Sequence, residues 1–81
     1  MIEFTYESIN NALNAHHPYL SGEWTSLGWD DNVATVIYML DATGEDVTVT
    51  VDRNGVVTAP EVLIAELDEM MTMEDLWRYR R

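Results

Sequence analysis

Apolar residues recur along this chain with two different periods, and the changes between them mark the elements. From Thr5 to Ala15, Tyr6, Ile9 and Leu13 fall at i, i+3 and i+7, one face of a helix. Thr5 is placed to cap the first turn, and Glu7 suits the positive end of the helix dipole. Asn10, Asn11 and Asn14 lower the helical propensity, so packing must hold this segment. His17 precedes Pro18, where helical backbone is disfavoured, and the helix ends there. Residues 18–28 carry loop signals, with Trp24 to Trp29 able to form a first strand.

The period then shortens to two. Val33 to Leu40 is apolar on both faces, the pattern of a central strand. After the polar turn Asp41–Glu45, residues Asp46 to Val51 alternate strictly, with valines to the core and threonines to solvent. Asn54-Gly55 is a hairpin turn signal and leads into a short strand, Val56-Val57-Thr58. A helical period returns near Thr58-Ala59-Pro60-Glu61, which combines a capping box with an early proline. Leu63, Leu67 and Met70 form its apolar stripe, widened by Ile64 and Met71. Thr72-Met73-Glu74-Asp75 offers a second cap, so the C-terminal segment is either one helix bent near Thr72 or two short helices meeting there. The expected fold is α+β: an antiparallel sheet of three or four strands with an N-terminal and a C-terminal helix on one face.

Composition narrows the classes of function. The chain of 81 residues is read as a single small acidic domain, 1–81, with 47% hydrophobic content and no cysteine. Zinc–thiolate sites and cysteine nucleophiles are thereby excluded. No apolar run approaches the ~20 residues of a membrane span, and Met1-Ile2-Glu3-Phe4 lacks the basic start of a signal peptide. The expected location is the cytoplasm. Fifteen acidic residues face four arginines, for a net charge of −11. Arg78, Arg80 and Arg81 lie in the last four positions, so the first 77 residues set 15 acids against Arg53 alone, a net of −14. Such a field repels nucleic acid and anionic membrane, and it points to a protein partner with a basic surface.

Catalytic and metal-binding chemistry finds little support. His16 and His17 point about 100° apart on a helix and lack further ligands at useful spacing. Counted as a calcium loop from Asp52, position 6 is Val57 and position 12 is Leu63; counted from Asp41, the same positions are Asp46 and Asp52. Neither register supplies the glycine and glutamate required. Ser8, Ser21 and Ser26 sit in no nucleophile elbow, and no glycine-rich phosphate loop occurs. The expectation is a protein with no cofactor, no metal and no enzymatic activity.

The acidic surface is the strongest candidate site. Glu61, Asp68 and Asp75 recur every seven residues, about 10.5 Å apart along a straight helix, and Glu66 and Glu69 add a second pair. Asp30-Asp31 and Glu45-Asp46 cluster at strand ends, with Asp41 beside the second pair. Solvated helices usually place Lys or Arg four residues after Glu, but Glu61, Glu66 and Glu69 have Ala65, Met70 and Met73 there. Trp24, Trp29 and Tyr19 are candidate interface anchors, though closing a small core is the more usual use of such residues. The Met-rich segment Met70, Met71 and Met73 is an adaptable apolar surface suited to a second chain, including a homodimer.

In size, charge and the acidic helix Glu61-Val62-Leu63-Ile64-Ala65-Glu66-Leu67-Asp68-Glu69, the chain resembles small acidic phage-encoded inhibitors, the anti-CRISPR and DNA-mimicking anti-restriction proteins. These classes share no sequence motif, so no site residue is carried over. The resemblance implies a stoichiometric inhibitor that blocks the nucleic-acid groove of a CRISPR or restriction effector in the host cytoplasm. Two other readings compete with it. One is a halophilic or accessory domain whose charge serves solubility, since Val49 to Val57 also resembles the strand–turn pattern of PepSY-type domains. The other is an antitoxin-like adaptor that uses its Met-rich helix as the contact.

Overall fold

Thr5 caps the first helix, α1 (Tyr6–His16), through a reciprocal pair of bonds: its Oγ1 accepts the Ser8 N–H at 3.0 Å, and the Ser8 Oγ accepts the Thr5 N–H at 2.9 Å. The computed structural model describes residues 1–79, with side chains described through Glu74. Along the chain follow β1 (Ser26–Trp29), β2 (Val33–Met39), β3 (Asp46–Asp52), β4 (Val57–Thr58) and α2 (Glu61–Tyr79). The strands form one antiparallel sheet in the order β1-β2-β3-β4, as an α+β meander requires. Gly55 closes the β3–β4 turn at φ +80°, a backbone conformation that favours glycine.

One sheet face carries the core. Ala34, Val36 and Tyr38 of β2 and Val49 and Val51 of β3 are buried there, against Ile9 and Leu13 of α1 and Leu63 and Leu67 of α2. Thr48 is exposed and Thr50 half-buried on the opposite face, as the alternation predicts. The expectation that β2 is covered on both faces is corrected: Thr35 and Met39 are exposed, while Val33 and Ile37 are half-buried. Both helices pack on the inner face, and among the described residues the outer one is formed by strand residues flanked by other strand residues. Ile37 stands there between Ser26 and Thr48.

The C-terminal segment is one helix of 19 residues, which settles the choice between one helix and two. Thr72 does not cap a second helix. Its hydroxyl donates backward to the Asp68 carbonyl at 3.0 Å, a bond available only inside a continuing helix. Thr58 does not cap the first turn either, because it lies in β4 opposite Thr50. The Pro60 carbonyl instead accepts the N–H groups of Leu63 and Ile64.

Tyr38 links the core to the loop after α1. It is 1% exposed, and its hydroxyl donates to the Leu20 carbonyl at 2.8 Å. Burial raises its phenol well above the usual range. Tyr38 therefore supports the fold fully below about pH 10, and this support is lost as pH rises toward its folded-state value. The expected result is a urea midpoint that falls from about pH 10 upward. Tyr38→Phe should flatten that fall and cost about 1–2 kcal/mol at neutral pH, where the Leu20 carbonyl loses its partner. Equal alkaline sensitivity in both proteins would remove Tyr38 as the cause.

Candidate protein-binding surface

The acids proposed for α2 do not share one face. At about 100° per residue, Glu66 and Asp68 stand about 160° apart on the two flanks of the buried Leu63–Leu67 stripe. Each reaches a different part of the chain. The Glu66 carboxylate accepts the N–H of Asp41 at 3.1 Å and of Ala42 at 3.0 Å, fastening the β2–β3 turn. Asp68 Oδ1 meets His17 Nε2 at 2.8 Å. His17 Nδ1 accepts the Tyr19 N–H at 3.1 Å, so the Nε2 proton is the one directed to Asp68. His17 is buried, and its imidazole is thus a structural tie between the end of α1 and the flank of α2.

Other acids also hold the chain's own turns. Asp30 Oδ1 accepts the N–H groups of Asn32 (2.8 Å) and Val33 (2.9 Å), and these bonds hold its carboxyl below the usual range. Asp52 accepts from Asn54 and Val56 in the β3–β4 turn. Glu61, Glu69, Asp31, Glu45 and Asp46 are exposed. The Asp75 side chain lies outside the described residues.

The fold sorts the candidates by place. Glu45 lies in the β2–β3 turn with Asp41, and Asp46 opens β3 beside it, at the turn that Glu66 grips. Asp30 and Asp31 lie at the other end of β2, roughly 20 Å away along the strand. The acidic surface therefore centres on the β2–β3 turn and the adjoining part of α2, and the Asp30–Asp31 pair is separate from it. A cleft of about 210 Å³ opens beside Glu66, where Glu23, Asp41 and Glu66 rim a floor of Leu63, Leu67 and Met70.

Arg53, the one cation of the first 77 residues, is turned inward. Its Nε donates to the Asp31 carbonyl at 2.8 Å and its Nη1 to the Ile2 carbonyl at 3.3 Å, and the guanidinium lies 4.0 Å from the Phe4 ring centroid. It ties the N-terminal segment to two turns. Among the described residues no three His, Asp or Glu side chains gather as a metal site requires, and no helix is long and apolar enough to cross a membrane.

Sequence periodicity placed Tyr6 with Ile9 and Leu13, yet Tyr6 is 57% exposed. It lies edge-on to Trp29 at 5.1 Å and stacks near Trp24 at 6.4 Å, forming an aromatic group at the rim between α1 and β1. Trp24 is anchored there by its indole N–H, which donates to Asn10 Oδ1 at 2.9 Å. The signal in the sequence was the shared parity of Leu27 and Trp29 at the end of an outer strand. Comparison with protein families, with curated proteins and with solved structures finds no match for this chain.

Proposed function

We propose that this domain is a non-catalytic binder of a cationic protein surface, acting as a DNA-mimicking inhibitor of the anti-CRISPR or anti-restriction type in the host cytoplasm. Its partner is a CRISPR or restriction effector whose nucleic-acid groove it occupies. One observation carries the reading: 15 acids face one cation in the first 77 residues, and that cation is committed to its own backbone. The stretch from Asp41 to Asp46 and the first turns of α2, residues 61–69, contain no lysine or arginine, so the exposed carboxylates of Glu45, Asp46, Glu61 and Glu69 have no positive charge interleaved in their own segments. Electrostatic attraction speeds encounter with a basic groove, and a few apolar anchors set the residence time.

Glu45, Asp46 and Glu69 test this best, because all three are exposed and no hydrogen bond engages their carboxylates among the described residues. The wild-type domain, immobilised at low salt, is expected to capture a nucleic-acid-binding protein from bacterial lysate and to release it to competing duplex DNA. The variant Glu45→Lys/Asp46→Lys/Glu69→Lys, folded by circular dichroism, should capture it at least about tenfold less well. Equal capture by the variant would remove this surface as the binding site. A captured partner that duplex DNA fails to displace would end the mimicry reading.

A further inference from the structure

The β1 edge is the part of the surface that the acidic reading does not use. β1 lies at the outside of the sheet, and its pairing with β2 fixes which backbone groups face away. The Asp30 N–H bonds the Val33 carbonyl, so the alternation of an antiparallel ladder turns the groups of Gly28 toward β2 and those of Leu27 and Trp29 outward. Among the described residues no hydrogen bond reaches these outward groups. Exposed edges are commonly protected by a charge or a proline within the strand, and Ser26-Leu27-Gly28-Trp29 contains neither. A side chain at Gly28 would meet nothing within 4 Å, so the outer face is equally open.

The aromatic group stands directly beside this edge. Trp29 is 42% exposed although it points to the core side, and with Tyr6 it presents ring surface to whatever lies along β1. Acids flank the strand at both ends, with Glu23 before it and Asp30 and Asp31 after it. A second copy of this chain would bring the same acids and a net charge of −11 against them. Charge complementarity selects a cationic strand instead.

We propose that the β1 edge receives an extended arginine- or lysine-bearing segment of the partner, which adds as a fifth strand against Leu27 and Trp29 and lays a cationic side chain on the Tyr6–Trp29 rings. Backbone pairing supplies affinity, and alternate side chains of the added strand supply selectivity. Those on the core side meet the aromatic faces, where a guanidinium gains from the ring quadrupole. This rests on the reading that the partner is cationic, and it names where and in what conformation the partner is held.

The test uses the whole chain, with a six-residue peptide of alternating Arg and Val and its Gln/Val counterpart as probes, read by amide hydrogen exchange. At saturating Arg/Val peptide in low salt, exchange at Leu27 and Trp29 is expected to slow at least about tenfold, and the Gln/Val peptide at the same concentration should leave both unchanged. Tyr6→Ser removes an exposed ring and should weaken the Arg/Val peptide about threefold. Binding that leaves Leu27 and Trp29 unprotected would overturn the edge site while the cationic-partner reading stands. Equal protection by the Gln/Val peptide would overturn the cationic occupant and remove support from that reading as well. Absence of binding by either peptide would overturn the inference outright.

Discussion

Glu66→Lys combined with Asp68→Lys is expected to lower the melting temperature by about 12–24 °C, whereas Glu61→Lys combined with Glu69→Lys changes it by a few degrees at most. The four residues share a helix and a charge, so electrostatics alone predicts similar outcomes. The structure separates them. Glu66 holds two N–H groups of the β2–β3 turn, and Asp68 accepts a hydrogen bond from Nε2 of the buried His17. Hydrogen bonds to a charged group contribute ~1.5–3 kcal/mol. Glu66 makes two such bonds and Asp68 one, and all three lie at least partly in solvent (the Asp68 side chain is 62% exposed), so each is discounted to about 1 kcal/mol. About 3 kcal/mol in total is then lost from the ~4–12 kcal/mol expected for a domain of this size. The two ties share no partner, so their losses are taken as additive. Glu61 and Glu69 are exposed, and their reversal also relieves repulsion. Equal melting of the two double variants would show that Glu66 and Asp68 serve as surface charge alone.

Several local signals in the sequence held where the partner was a few residues away, though the capping signals at Thr58 and Thr72 did not. Thr5 and Ser8 form the cap, Asn54-Gly55 turns the hairpin, and the valines of β3 face inward. Thr72 shows the limit of such signals. Its neighbours spell an N-cap, but that motif does not say whether the preceding turn is already helical. Leu67 is buried and Met70 half-buried, so the packed stripe carries the helix through position 72. For β2, apolar composition on both faces did not reveal that both helices pack on one side. The number of layers is a property of the whole chain.

The candidate site was legible in sign and much less so in detail. Net charge is additive along the sequence, so the acidic surplus was visible at once. The roles of individual acids depend on contacts 25 residues apart for Glu66 with Asp41 and 51 apart for Asp68 with His17. No local spacing encodes such contacts. The inward turn of Arg53 is hidden for the same reason, since it joins Ile2, Phe4 and Asp31. Tyr6 sits at the first helical position, where the chain enters from the rim, and its ring meets Trp24 and Trp29 at the edge of the core.

Leu63→Ala is expected to destabilise the domain by about 2–5 kcal/mol, the range for removing a buried leucine and leaving a cavity. Leu63 is 2% exposed and Leu67 4%, and among the described residues these two are what α2 adds to the buried core. The ties at Glu66 and Asp68 flank the same stretch, so neither can hold the helix once its central contact is reduced. A free helix of this length is marginal in water, and Glu66 and Glu69 repel each other at i, i+3. Helical circular dichroism and sheet amide protection should therefore be lost together as urea rises, at a lower midpoint than in the wild type. Val62→Ala, one residue away but 56% exposed, is the matched control and should stay within about 0.5 kcal/mol. Because α2 carries much of the proposed acidic surface, Leu63→Ala should reduce partner capture only in proportion to the fraction unfolded. A variant that stays folded in native buffer yet captures nothing would place Leu63 in the contact itself. A melt within about 1 kcal/mol of wild type would show that the core does not anchor α2 through this residue.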